Sequence, residues 1–188
     1  RSKFPNDEVS AQGIAEAAKI IGDDPEGMAV LFAHLGLLDA FGTVAVMERL
    51  LPEFKALFPA AGSFYHFPIL NSIFEKLNKQ LPYEFAPVFR KEDLGKMKLH
   101  VKVIDFSGLS DEEKKQANQR YSVAASETLH QQGGVVMLIP YAGRAPKLEY
   151  FRGGPLKLIQ TGRPVLLSFT IWNWKKLKYD VYFSRVMK

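Results

Sequence analysis

Residues 28–42 read Met28-Ala-Val-Leu-Phe-Ala-His34-Leu-Gly-Leu-Leu-Asp39-Ala-Phe-Gly42. The first six are continuously apolar, the pattern of a short strand buried on both faces, as strands inside parallel sheets are. The run then delivers a histidine and, five residues later, a carboxylate into hydrophobic surroundings. Desolvating isolated ionisable groups is costly, so the two are expected to act as a dyad in which Asp39 orients a basic His34 imidazole. The chemistry of such a dyad is proton abstraction. Two plainer readings stand beside it: His34 as a hydrogen-bonded structural residue, and Asp39 as a charge favouring the positive end of the following helix. A single H-x4-D match occurs by chance in many chains, so the surrounding sequence has to decide.

Outward from this run, Val9, Ile14, Ala17, Ala18 and Ile21 predict a helix over 7–21, ended by Gly22-Asp-Asp-Pro25. Residues 28–33 form the first strand, and 37–51 form a helix closed by Pro52. A strand is expected over Gly62–Phe67, a helix over Leu70–Lys79, a strand over Tyr83–Phe89 and an extended connection over Leu99–Ile104. Ser110-Asp-Glu-Glu113 is a capping box with acidic residues at the positive end of the helix dipole. It opens a helix carried by Ala117, Tyr121, Ala124, Ala125 and Leu129 and stopped by Gly133-Gly134. Val135–Ile139 then reads as a central parallel strand, 141–154 as a loop, Pro155–Gln160 as a short helix, Pro164–Thr170 as a buried strand and Leu177–Ser184 as a half-exposed one. Strands alternating with helices give an α/β chain with a central, mostly parallel sheet and helices on both faces. Residues 1–24 are expected as an N-terminal helical segment on a single α/β unit over 25–188.

With 188 residues, 47% apolar and 24% charged, the composition is that of a globular domain. Cysteine is absent, which removes disulfides, thiolate metal sites and a cysteine nucleophile. His34, His66, His100 and His130 lack ligand spacing, so no metal is expected; His66, between Tyr65 and Phe67, reads as structural. The net charge of +5 favours anionic partners, among them phosphorylated small molecules and anionic lipid surfaces. Nucleic acid is not expected, because no RNA- or DNA-binding motif is present. Residues 28–47 are long enough to be weighed as a membrane span, but a central Asp39 costs about 2.5–3.5 kcal/mol on insertion scales, and a buried strand, turn and helix explain the stretch better. Trp172-Asn-Trp174-Lys-Lys-Leu-Lys178 suits an interfacial membrane contact, a single-strand nucleic-acid site, or core and rim aromatics beside a basic edge strand.

Reactive groups in open α/β sheets gather at the carboxyl ends of strands. His34, Arg90 and Arg144 each follow an expected strand, and one base with two guanidiniums suits a substrate carrying both a hydroxyl and a phosphate. Arg152 and Arg163 are further phosphate candidates. Direct transfer without a covalent intermediate is expected, since the chain has neither cysteine nor a G-x-S-x-G elbow.

Four blocks occur in order: His34…Asp39, Pro87-Val-Phe-Arg90, Gly133-Gly-Val-Val-Met-Leu-Ile-Pro-Tyr-Ala-Gly-Arg144 and Gly162-Arg-Pro-Val165. A long helix precedes the third, and Phe151-Arg-Gly-Gly154 follows it. Over Pro25 to Thr170 this arrangement resembles the glycerolipid acyltransferase family, which includes the lysophosphatidate and glycerol-3-phosphate acyltransferases. The resemblance implies an O-acyltransferase of phospholipid biosynthesis, cytoplasmic and peripheral to a membrane surface. The fatty acyl group would come from acyl-CoA or acyl carrier protein as co-substrate, with no further cofactor. The acceptor would be a hydroxyl of a lysophospholipid, glycerol phosphate or other alcohol. His34 is then the general base and Asp39 its orienter, with Arg90, Tyr141, Gly143 and Arg144 binding substrate. The chain departs from the family at Ala33 and Gly36, where Asn and Ser are usual, and in Pro140-Tyr141-Ala142-Gly143-Arg144, which lacks the glutamate and threonine of a P-E-G-T-R block. Those departures motivate the alternative of a catalytically lapsed relative that binds lipid or a protein partner. Leu37–Leu51, Phe54–Phe58 and Phe64–Phe67 are expected either to line an acyl groove or to be plain core.

Overall fold

Met28–Phe32 forms strand β1, and all five of its residues are buried. In this computed structural model the described residues are 7–32, 43, 46–49, 55–62, 69, 72, 75, 76, 79, 83–89, 108–139, 153–173, 175 and 178–188. The elements run α1 (Asp7–Asp23), β1, β2 (Lys55–Ala61), β3 (Tyr83–Val88), α2 (Asp111–Leu129), β4 (Gly134–Leu138), α3 (Gly153–Ile159), β5 (Val165–Asn173) and β6 (Lys178–Phe183). Residues 43, 46–49, 69, 72, 75, 76 and 79 are also helical. The fold is α/β with mostly parallel strand pairing, as the sequence leads one to expect. The chain divides into two compact units, Arg1–Lys55 with Thr128–Lys188, and Ala56–Glu127.

In the first unit the strands run β4-β1-β5-β6. β1 is parallel to both neighbours, with Met28 opposite Val135 and Leu31 opposite Leu138 on one side, and Ala29 opposite Val165 and Phe32 opposite Ser168 on the other. Both β1 and β4 are buried along their whole length. Their unbroken apolar sequences follow, because a strand covered on both faces has no solvent side on which to place polar residues. Burial of each Val, Leu, Met or Phe side chain contributes about 1.5–3 kcal/mol, so these two strands make up the centre of the core. The candidate membrane span over 28–47 is thus strand at its start and helical again at Thr43 and 46–49. Among the described residues no helix is long and apolar enough to cross a membrane.

β4 begins where α2 ends. Gly133 has φ of 72°, a conformation that costs glycine nothing. A Cβ on Gly134 would overlap the carbonyl oxygen of Thr128. The Gly133-Gly134 stop signal therefore does two things: it ends the helix and lets the backbone of its last turn approach the start of the strand.

On the far side, β6 is antiparallel to β5 and α1 packs against it. Ser10 satisfies both backbone groups of Phe183: its Oγ accepts from the Phe183 N–H at 2.9 Å and donates to the Phe183 carbonyl at 3.3 Å. The contact is close because position 13 is glycine; a Cβ there would overlap the carbonyl oxygen of Ser184. Farther along, Glu16 accepts from Arg185 Nε at 2.6 Å and from the Val186 N–H at 2.9 Å.

In the second unit β2 and β3 are parallel, with Ala56 opposite Tyr83 and Ala61 opposite Val88. A strand the sequence reading did not include lies at Lys55–Ala61, and Gly62, where the expected Gly62–Phe67 strand would begin, is helical; 63–67 lie outside the described residues. Pro59 counts against its own run, since proline removes a ladder donor, and that penalty is overridden by burial of Ala56, Leu57, Phe58 and Ala60. Phe58 is buried and packs on Phe85 with ring centroids 5.4 Å apart. α3 likewise begins at Gly153, inside the stretch read as loop.

Two outcomes follow. Gly13→Ala, although it improves helix propensity by about 1 kcal/mol, is expected to destabilise the protein by about 1–3 kcal/mol through overpacking against Ser184, read from the urea midpoint. The hydrogen bond from Arg185, and secondarily that from the Val186 N–H, hold the Glu16 carboxyl below the ordinary carboxylate range. A depressed folded pKa stabilises above the unfolded value and is lost as pH falls through the folded one. Glu16→Gln should therefore be less stable than the parent at neutral pH, with the gap between their urea midpoints closing in acid.

Candidate functional site

The carboxyl ends of β1 and β4 lie side by side, since the two strands are parallel and Leu31 is opposite Leu138. From the first, the chain passes after Phe32 into 33–42, which carries His34 and Asp39. From the second, it passes after Ile139 into 140–152, which carries Tyr141, Gly143 and Arg144. These five residues, and Arg90 beyond β3, lie outside the described residues, as do Arg152 and His66. The strand ends that precede these segments, at Phe32, Val88 and Leu138, are described, and they fix where each segment leaves the fold.

Segment 33–42 ends at Thr43, which is fully buried. Its Oγ1 shares a hydrogen bond of 2.8 Å with Ser168 Oγ, itself buried on β5. Burial alternates along β5: Leu166, Ser168 and Thr170 are covered while Leu167 and Phe169 are half-buried and Ile171 is exposed. That period of two marks one face as covered, and Met47 is as fully buried as Thr43. The sequence held a faint signal of this pair. Ser168 and Thr170 are hydroxyl residues on the inward face of an otherwise apolar strand, and buried hydroxyls need partners.

Arg90 follows Phe89 directly, and Phe89 is held by α2. Its N–H donates to Asn118 Oδ1 at 2.7 Å and its carbonyl accepts from Asn118 Nδ2 at 2.7 Å. One side-chain amide thus does for Phe89 what another strand would have done. The ring packs with Ala117 and Leu109, and Lys114 Nζ lies 5.9 Å from its centroid. Lys114, Ala117, Asn118 and Tyr121 share one face of α2 by their i, i+3, i+4 and i+7 spacing. Tyr121 has its hydroxyl enclosed with no hydrogen-bond partner among the described residues, and burial pushes the phenol well above its ordinary range.

The start of α2 is set by the capping box the sequence announces. Ser110 Oγ accepts from the Glu113 N–H at 3.3 Å, and Glu113 accepts from the Ser110 N–H at 2.7 Å. Glu113 Oε2 also accepts from Ser110 Oγ at 2.7 Å, and this side-chain bond, then the one from the Ser110 N–H, lowers the pKa of the Glu113 carboxyl. Sequence reasoning found the box and missed Asn118. The available signal was one amide inside a stripe of Ala117, Tyr121 and Ala124.

Arg163, a further phosphate candidate, does not lie at the strand carboxyl ends. It forms an ion pair with Glu26, and the two precede β5 and β1, at the amino ends of the sheet. An open groove of about 530 Å³ lined by Glu16, Lys19, Ile20, Asp23 and Lys188, among others, lies along the C-terminal half of α1, close to this same end.

Asn118→Ala leaves the Phe89 N–H and carbonyl without their partners and should cost about 1–3 kcal/mol of stability in urea unfolding. No family model matches the chain, and no curated protein matches it.

Proposed function

We propose that this protein is an O-acyltransferase moving a fatty acyl group from acyl-CoA or acyl carrier protein to a hydroxyl of a lysophospholipid, glycerol phosphate or related alcohol at a membrane surface. The observation that carries this reading is the parallel pairing of β1 with β4. It supports placing the segments that bear His34–Asp39 and Tyr141–Arg144 after the carboxyl ends of adjacent strands, where α/β folds assemble their reacting groups. The ordered motif blocks supply the type of chemistry.

In this mechanism His34 takes the proton from the acceptor hydroxyl as its oxygen attacks the thioester carbonyl. Asp39 fixes the imidazole tautomer and stabilises the imidazolium. Collapse of the tetrahedral intermediate breaks the carbon–sulfur bond, and the departing thiolate takes the proton back from His34. Arg90 and Arg144 bind an anionic head group, to which a planar guanidinium donates two parallel charge-assisted bonds. A second reading, a lapsed relative that binds lipid without turning it over, is favoured by one sequence observation: Tyr141 and Gly143-Arg144 stand in a block without its glutamate and threonine.

Thiol release from a long-chain acyl-CoA, measured across lysophospholipid and alcohol acceptors, separates the two. His34→Ala should lower kcat by about 10²–10⁴-fold, the usual contribution of a positioned general base, and Arg144→Ala should raise the acceptor KM. Full turnover in His34→Ala removes the dyad. Lipid binding without turnover by any acceptor gives the second reading.

A further inference from the structure

β5 outruns its neighbour. Its pairing with β1 ends at Ser168, opposite Phe32, the last residue of that strand, yet β5 continues through Phe169–Asn173. Among the described residues the ladder partner of that extension is β6 alone, with Phe169 opposite Tyr182 and Asn173 opposite Lys178. At the usual rise of a strand, five residues carry this two-stranded arm about 16 Å past the end of β1. Because β5 is parallel to β1, and β1 to β4, the arm extends from the carboxyl end of the sheet, the end at which the segments after β1 and β4 leave it.

The arm is cationic at its end and carries exposed apolar surface. Asn173 and Lys178 are joined by Trp174-Lys-Lys-Leu177, so 174–178 hold three lysines and no carboxylate. The nearest acid, Asp180, accepts from Asn173 Nδ2 at 2.7 Å, which ties its carboxylate across the strand pair. Ile171 is 44% exposed on the arm itself, and Lys175 is exposed at the turn. Both tryptophans of the chain belong to this stretch: Trp172, opposite Tyr179 in the register, and Trp174. Tryptophan partitions to the headgroup level of a bilayer, and each lysine brought to an anionic leaflet adds attraction. Resting on the acyl-transfer reading above for lipid as the occupant, we infer that the β5–β6 arm docks this protein on an anionic phospholipid surface. The lysines of 174–178 supply charge complementary to the lipid phosphates, and Ile171 supplies apolar area. Docking by the arm turns the carboxyl end of the sheet toward the membrane.

The test uses the full chain with vesicles of phosphatidylcholine alone or mixed with phosphatidylglycerol. The protein should sediment with the mixed vesicles and not with the neutral ones, and added salt should release it. Since both tryptophans lie in 172–174, their emission reports on the arm alone, and lipids brominated on their acyl chains should quench it. Lys175→Ala should weaken partitioning into the mixed vesicles about fivefold, and Lys175→Ala/Lys176→Ala about twenty-fivefold, with the urea midpoint unchanged. Ile171→Thr, which keeps the β-branch, should weaken it as well. Lys115→Ala removes the same charge from the exposed side of α2 and should leave partitioning unchanged.

The inference is overturned if the protein sediments with neither vesicle, or if Lys115→Ala weakens binding as much as Lys175→Ala does, since net charge alone is then at work. It is equally overturned if bound protein shows no quenching, which assigns the contact to another surface, or if a single-stranded oligonucleotide binds the arm more tightly than the vesicles do. Acyl transfer is judged separately. Vesicle binding through the arm without transfer to any acceptor removes the enzyme reading and leaves the docking, whereas transfer to a dispersed short-chain acceptor without vesicle binding removes the docking and leaves the enzyme.

Discussion

The parallel ladders on either side of β1 are the constraint from which the first unit follows. A backbone buried on both faces must have its N–H and carbonyl groups paired, because water cannot reach them, and β4 and β5 provide that pairing on the two edges of β1. Once paired, the strand tolerates only apolar side chains, which is why Met28–Phe32 and Gly134–Leu138 contain none that is polar. The same parallel direction sends the segments after β1 and β4 out from one end of the sheet, and leaves the Arg163–Glu26 ion pair at the other.

Where the ladders stop, side chains take over their work. Ser10 meets both the N–H and the carbonyl of Phe183 on the outer strand of the first unit, and Asn118 meets both groups of Phe89 at the end of β3 in the second. In each case one small polar residue, projecting from a helix, ends a strand without leaving a donor or acceptor unpaired. The device lets a helix seal a strand end, which also denies that backbone to another chain. Ser168 extends the logic from backbone to side chain, joining the covered face of β5 to Thr43.

Much of the fold was legible because its signals are local. The buried runs of β1 and β4, the Ser110–Glu113 box and the Gly133-Gly134 stop each act over a few residues, and the structure places α2 and β4 within three residues of the sequence reading. β2 went unread for a physical reason as well: proline at 59 argues locally against a strand, and burial of Leu57 and Phe58 outweighs it. The candidate site was legible as an order of motifs along the chain. Its supporting contacts were not, since Thr43 and Ser168 are 125 residues apart and Asn118 and Phe89 are 29 apart.

The sequence by itself determined the α/β class, the buried strands, the capped helix and the residue types offered for proton transfer and anion binding, because periodicity and capping are properties of neighbours. Only the tertiary structure decided which strands are adjacent, that Arg163 pairs with Glu26 at the amino ends, and that Ser168, opposite Phe32, shares a hydrogen bond with Thr43. Strand adjacency and side-chain partnership join residues far apart in the chain, and no local pattern records which distant partner a buried hydroxyl or guanidinium will find.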